Sequence, residues 1–293
     1  MILTNKYNLP QTFMNVLDRP TYSKGKAHLS ATELINSPRI VLLRKKYDEQ
    51  ITTDVSEMMW SIFGTAIHSV LEQGKDANHI VEQRLHTEID GWHLSGAIDL
   101  QKVVEDGIEI SDYKTVGAWS VMNEKIEWEQ QLNIYAWLVE RVKEAPVVKL
   151  DIVAIIRDWN RRDAQSRQGY PEAPVAVISI NLWPMEERES FIRNLIHIHS
   201  GALFAAEAGE ELPLCTPEQM WEKPTMYAVK KEGASRAKSV HEELDAAEIA
   251  LEKAGKGYQL EIRQGDRTRC SSFCPVAEWC DQYQTYLKEK INV

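Results

Sequence analysis

Two Asp-Gly dipeptides, Asp90-Gly91 and Asp106-Gly107, punctuate residues 79–115, "HIVEQRLHTEIDGWHLSGAIDLQKVVEDGIEISDYKT". Asp-Gly supplies the positive φ angles of a two-residue hairpin turn. The runs between the turns are rich in Val, Ile, Leu and Thr, so the segment predicts a three-stranded antiparallel meander. Tight turns also fix which residues face each other. If Asp90-Gly91 is the first turn, facing residues sum to 181 and Glu82 lies opposite Asp99. If Asp106-Gly107 is the second, they sum to 213 and Asp99 lies opposite Lys114. Residues two apart on a strand share a face, so Asp112 stands beside Lys114. The expected result is a row of Glu82, Asp99 and Lys114 with Asp112 one diagonal step away.

Three clustered carboxylates repel, and one lysine does not neutralise them. Burying them unpaired is costly. A divalent cation would balance them, and oxygen donors suit Mg²⁺ or Mn²⁺. Such an ion polarises a phosphoryl oxygen and acidifies a bound water, with Lys114 placed to orient that water. The plainer alternative is a solvated strand face carrying an Asp–Lys pair.

Helical patterns flank the meander. "LSATELINSPRIVLLRKKY" (29–47) predicts a helix N-capped by Ser30 and kinked or broken at Pro38. A helix over about 57–73 places Gly64 and His68 one turn apart. Another, over about 124–143, carries an apolar stripe of Trp128, Leu132, Tyr135, Leu138, Val139 and Val142, with Gln131 on the stripe. A buried Gln needs partners. Strands are expected at 147–156 and 175–183, an Arg-rich loop between them, and a helix over about 185–207. The order predicts an α/β (α+β) fold, a central mixed sheet with helices packed on it. Residues 1–207 form this core. Residues 208–293 are expected as a C-terminal appendage with a short strand, a helix over about 241–254, another strand and a cysteine cluster.

With 34 basic and 44 acidic residues the chain carries −10, so any nucleic acid must be met by local basic patches. Arg157, Arg161, Arg162 and Arg167, with Trp159 among them, form one such patch, suited to phosphate contact and base stacking. Residues 223–238 and Arg44-Lys45-Lys46 are others. No apolar run reaches membrane-spanning length, and the N-terminal residues lack a secretory pattern. A cytoplasmic protein is therefore expected. Three of the four cysteines, Cys270, Cys274 and Cys280, fall in C-x3-C-x5-C, and Cys215 is the fourth. In a reducing compartment such clustering favours metal binding over disulfides, and a thiolate set without His suits iron–sulfur or Zn²⁺.

The ordered set "FGTAIH" (63–68), "VEQRL" with Glu82, "GAIDL" with Asp99, "SDYKT" with Asp112 and Lys114, and "QLNIY" with Gln131 and Tyr135 resembles the PD-(D/E)XK nuclease superfamily, in particular its RecB-like branch. The resemblance covers roughly residues 29–205. It implies a restriction-endonuclease-like fold, with Asp99, Asp112, His68 and the backbone carbonyl of Tyr113 as metal ligands. Lys114 would act on the nucleophilic water, Glu82 would be the early acidic residue, and Gln131 and Tyr135 would position DNA or the motif. Ile98 stands where the motif name expects Pro. The resemblance further implies a [4Fe–4S] cluster on Cys215, Cys270, Cys274 and Cys280, with Zn²⁺ as the alternative. Two departures stand against it: the usual spacing is C-x2-C-x5-C, and Ser37 occupies the place of a more usual N-terminal cysteine. The implied activity is a Mg²⁺- or Mn²⁺-dependent deoxyribonuclease, an exonuclease of recombination, repair or phage DNA processing. Its partner would be DNA, with a recombination or single-strand-binding protein alongside. A structure-specific or single-strand endonuclease with the same site, and a non-catalytic iron–sulfur or zinc DNA-binding protein, are the competing readings.

Overall fold

The computed structural model of the chain describes residues 1–17, 24–123 and 125–291. It divides into two compact units, one of Met1–Val41 with Asp48–Leu212, the other of Leu42–Tyr47 with Pro213–Val293.

The first unit is a mixed α/β domain built on a six-stranded sheet. In chain order the sheet and the helices around it begin with β1 (Leu29–Ser30), α1 (Pro38–Tyr47, whose second half belongs to the other unit) and α2 (Met59–Glu72). The meander follows: β2 (His79–Ile89), β3 (Trp92–Val104) and β4 (Gly107–Val116). Then come α3 (Ala118–Met122), α4 (Ile126–Lys143), β5 (Val147–Ile156), α5 (Arg161–Ser166), β6 (Val175–Ile180) and α6 (Met185–Ala208). Strand β2 pairs along β3, while β1 and β4 meet β3 at Leu94–Ser95 and from Leu100 onward. The crossover through α4 makes β5 parallel to β4, and β6 returns antiparallel to β5.

Local chemistry explains the breaks. Ser30 caps a single helical turn, Ala31–Leu34, in a reciprocal capping box with Glu33. Pro38 then opens α1 instead of kinking one long helix, because proline fits the first helical turn and not the interior. Glu124, the first residue of the helix expected over about 124–143, lies outside the described residues.

Helix α4 is the centre of the core: every residue from Gln131 to Val139 is buried. It sits close to the sheet because Gly96 on β3 has no side chain. A Cβ there would lie 2.6 Å from Leu138 Cδ1 and 2.9 Å from Tyr135 Cε1. On its other side α4 meets α6 through the buried Arg188–Glu140 ion pair, 2.9 Å.

Three expectations are corrected. Val104 pairs with Gly107, so the second turn is Glu105-Asp106 and facing residues sum to 211, not 213. Gly107 is needed inside the strand: its φ is 151°, and a Cβ would lie 2.2 Å from the Pro146 carbonyl oxygen. The shift of two keeps every side chain on its expected face. Continued one step, it brings Asp99 level with Asp112 instead of Lys114. Second, the Arg-rich stretch is not all loop: Asn160 caps α5 by accepting from the Asp163 amide. Third, the strand expected over 175–183 ends at Ile180, and the Asn181 carbonyl and Trp183 amide bond to the Asn133 side chain of α4 instead.

That second unit has a three-stranded antiparallel sheet, with β7 (Met226–Lys231) between β8 (Ala237–His241) and β9 (Tyr258–Arg263). Helix α7 (Leu244–Ala254) packs on it, and α8 (Asp281–Ile291) closes the chain. No helix among the described residues is long and apolar enough to cross a membrane.

Candidate active site

Helix α2 runs antiparallel to β4 as a close pair. His68 Nε2 lies 3.1 Å from the Tyr113 carbonyl oxygen. One turn earlier, a Cβ on Gly64 would lie 3.2 Å from Thr115 Oγ1. Four helical residues rise about 6 Å and two strand residues about 6.6 Å, so the two elements stay in step. Glycine at 64 lets the helix lie on the strand, which carries His68 to the carboxylates.

The His68 ring bridges two groups. Its Nδ1 lies 3.1 Å from Glu82 Oε1 and 3.6 Å from Asp99 Oδ1. With both ring nitrogens facing acceptors, the imidazolium is favoured. The Glu82 hydrogen bond foremost, then Asp99, hold its pKa above the ordinary value against the opposing effect of burial. Asp99 Oδ2 accepts from the Tyr113 amide at 2.7 Å. Burial, then the charge of Asp112, push the Asp99 carboxyl up to about 7.

Glu82 carries a feature the turns do not predict. The β2–β3 register sums to 181 on both sides of it, as expected, but the ladder lacks the Glu82–Asp99 pair. Glu82 is left-handed, with φ 48°. This conformation costs a non-glycine residue roughly 1 kcal/mol or more. No sequence signal marks it, since Glu is an ordinary strand-face residue.

A second cluster adjoins the first. Lys114 Nζ lies 2.7 Å from Asp112 Oδ2 and donates to Gln131 Oε1 at 3.1 Å. Gln131 Nε2 faces Asp112 Oδ1 at 3.3 Å and the Tyr135 hydroxyl at 2.8 Å. Burial and Asp112 hold the Tyr135 phenol well above its ordinary pKa, so it stays protonated. The expected row is thus rearranged into two linked groups: His68, Glu82 and Asp99 on one side, Asp112, Lys114, Gln131 and Tyr135 on the other.

The donor chemistry fits a hard divalent cation. One ligand atom each from His68, Glu82 and Asp99 lie within 4.8 Å of one another. The Tyr113 carbonyl oxygen adjoins them through His68. Asp112 lies outside that tight set, with its carboxylate turned to Lys114 and Gln131.

The arginines are spread. Arg157 follows β5 and its guanidinium lies 4.4 Å from the centre of the Trp60 ring. Arg161 and Arg162 are exposed on α5, and Arg167 lies 5.9 Å from the Tyr170 ring centre. Trp159, expected as a stacking group, is half-buried and donates its indole N–H to the Pro171 carbonyl.

In the second unit all four cysteines are free thiols. Gln282 holds Cys215 beside the start of α8, accepting from its amide at 2.8 Å and donating to its carbonyl at 2.9 Å. Burial, then Cys274, Cys215 and Cys280, push the Cys270 thiol up to about 11. Cys274 is raised by burial foremost and feels Cys280 and Cys215 in turn. These thiols feel one another electrostatically, but among the described residues the compact metal-ready group is His68, Glu82 and Asp99, not the cysteines.

A mixed sheet with helices on it, bearing clustered carboxylates and a lysine on adjacent strands, is an architecture for phosphodiester hydrolysis. The chain belongs to the PD-(D/E)XK nuclease superfamily, whose family model matches residues 74–281, more than half of the sequence. The match spans Glu82, Asp99, Asp112, Lys114, Gln131, Tyr135 and all four cysteines; His68 lies just before it. Among solved structures, one described as the crystal structure of SSO0001 is similar at 19% identity and a TM-score of 0.46. That similarity covers 65% of this chain and 82% of the other. A search of curated proteins finds no match.

Proposed function

We propose that this nuclease is a Mg²⁺- or Mn²⁺-dependent deoxyribonuclease that hydrolyses DNA from its ends. The observation that carries the reading is the pairing of a cation-ready set, His68, Glu82 and Asp99, with Lys114 held by Asp112 and Gln131. Asp99, Asp112, His68 and the Tyr113 carbonyl would hold the ion, with Glu82 as a further acidic partner. Bound there, it would acidify a water and polarise the scissile phosphoryl oxygen. Binding requires Asp99 and His68 to give up their protons. Asp112 must also turn from Lys114 toward the ion. Lys114 then supplies the positive group that orients the attacking water and offsets charge on the phosphoryl oxygens. Gln131, fixed by Tyr135, keeps Lys114 on station. Arg157, Arg161, Arg162 and Arg167 contact the phosphate backbone.

The four cysteines hold a [4Fe–4S] cluster in this proposal, with Zn²⁺ as the competing occupant. The C-x3-C-x5-C spacing of three of them and the absence of His from the motif support it. The cytoplasm is the expected compartment, since thiols stay reduced there.

Incubation with linear duplex and covalently closed circular DNA tests the activity. Mg²⁺- or Mn²⁺-dependent release of nucleotides from the linear form, with the circle intact, is the expected result. Nicking or linearisation of the circle would replace the exonuclease reading with the endonuclease one.

A further inference from the structure

The α2–β4 pairing extends one turn beyond Gly64, to Trp60. There the strand partner is Arg157, whose amide donates to the Val116 carbonyl at 2.9 Å, at the end of β4. Trp60, Gly64 and His68 thus form one i, i+4, i+8 row on the helix. Trp60 lies about 12 Å along the axis from His68.

Trp60 is a large apolar side chain left 57% exposed. The Arg157 guanidinium lies over its ring at 4.4 Å, and the Phe63 ring meets it edge-on with centroids 6.3 Å apart. One face of the indole is therefore covered and its tilt is fixed, while much of the ring remains open to solvent. Trp119, three residues beyond β4, repeats the arrangement. It is 62% exposed, with Lys125 Nζ 4.3 Å from its ring centre. Its helix is anchored where the Ala118 amide donates to Asp158 Oδ1 at 2.6 Å. Neither indole N–H is needed to satisfy the core, in contrast to Trp159.

Exposed aromatic faces backed by cations match the unpaired strand of a nucleic acid: the ring stacks on a base and the cation meets the phosphate. Paired bases inside a duplex are already stacked on both faces and offer no such surface. We propose that Trp60 with Arg157, and Trp119 with Lys125, form a base-stacking platform that receives single-stranded DNA leading to the site. The proposal rests on the nuclease reading and specifies that the strand reaching the site is unpaired, as at a frayed end of linear DNA.

The test measures binding without catalysis. Fluorescence anisotropy in chelator follows the full-length protein on a labelled oligothymidylate and on a blunt, hairpin-closed duplex. Trp60→Ala should weaken oligothymidylate binding by about 5- to 100-fold, while duplex affinity changes by less than about threefold. Trp60→Phe should restore single-strand affinity to within about threefold of wild type. Trp60→Leu, which keeps apolar bulk without a π-face, should resemble Trp60→Ala and guards against a folding defect in the smaller variant. Single-strand affinity within twofold of wild type in both Trp60→Ala and Trp60→Leu would overturn the platform. So would equal losses on single strand and duplex, or a Phe variant as weak as the Leu one. Because no metal is present, these outcomes stand whether or not the protein cleaves DNA.

Discussion

Burial and the neighbouring Asp112 push the Asp99 carboxyl up to about 7, so the metal-free protein exchanges a proton there near neutrality. An unfolded Asp titrates near 3.9. The folded state therefore keeps a proton that the unfolded chain has released, and this stabilisation is lost as pH rises through about 7. His68, raised by Glu82, acts with the same sign. In chelator, the melting temperature should be higher at pH 6 than at pH 8 by roughly 5 °C. Asp99→Asn should remove much of that difference. A calorimetric scan showing greater stability at pH 8 would contradict the shifts. Much of this site was legible at the residue level, because Asp112, Lys114, Gln131 and Tyr135 sit at spacings that strand and helix periods bring to one place. The left-handed Glu82 was not legible, because nothing in its side chain asks for that backbone. Nor was the His68 bridge, which needs the distance between α2 and β4.

At the scale of elements, the meander depends on where each tight turn falls. The Asp90-Gly91 turn forms as the dipeptide suggests, with Ile89 paired to Trp92. Asp106-Gly107 misleads by one residue, because Gly107 answers to Pro146 as well as to the turn. The sheet partner overrides the local turn preference, and the parity of the strand preserves the faces. Gly107→Ala should therefore cost about 2–4 kcal/mol, from backbone strain plus the clash with a carbonyl that has little room to move. Gly91→Ala meets no neighbour within 4 Å and should cost less, through strain alone. Chemical denaturation of the two variants checks the order, and equal losses would count against it. The β5 strand and α6 were readable because their apolar patterns are long. Capping at Asn160, by contrast, was hidden in a stretch whose charge suggested only loop.

For the whole molecule, a net charge of −10 would leave nucleic-acid binding to local cations, and Arg157 and Arg161 are proposed for that role. The division into two units follows the cysteines in part. Cys215, near the start of the 213–293 segment, is tied to Gln282 near its end, a staple that the sequence suggested only through the number of thiols. Protein purified without oxygen should be brown, with broad absorbance near ~400 nm, and Cys274→Ser should lose it. Stoichiometric zinc without iron would reject the cluster and leave the nuclease site unaffected.

In the proposed mechanism the clustered carboxylates and Lys114 hydrolyse DNA. The most direct measurement is the rate of linear DNA degradation at saturating Mn²⁺ by wild type, Asp112→Ala and Lys114→Ala, with folding checked by circular dichroism. Wild type should cleave in the presence of metal and each variant should lose about 100-fold or more, with the folded signal retained. Cleavage within tenfold of wild type by both folded variants would contradict the mechanism.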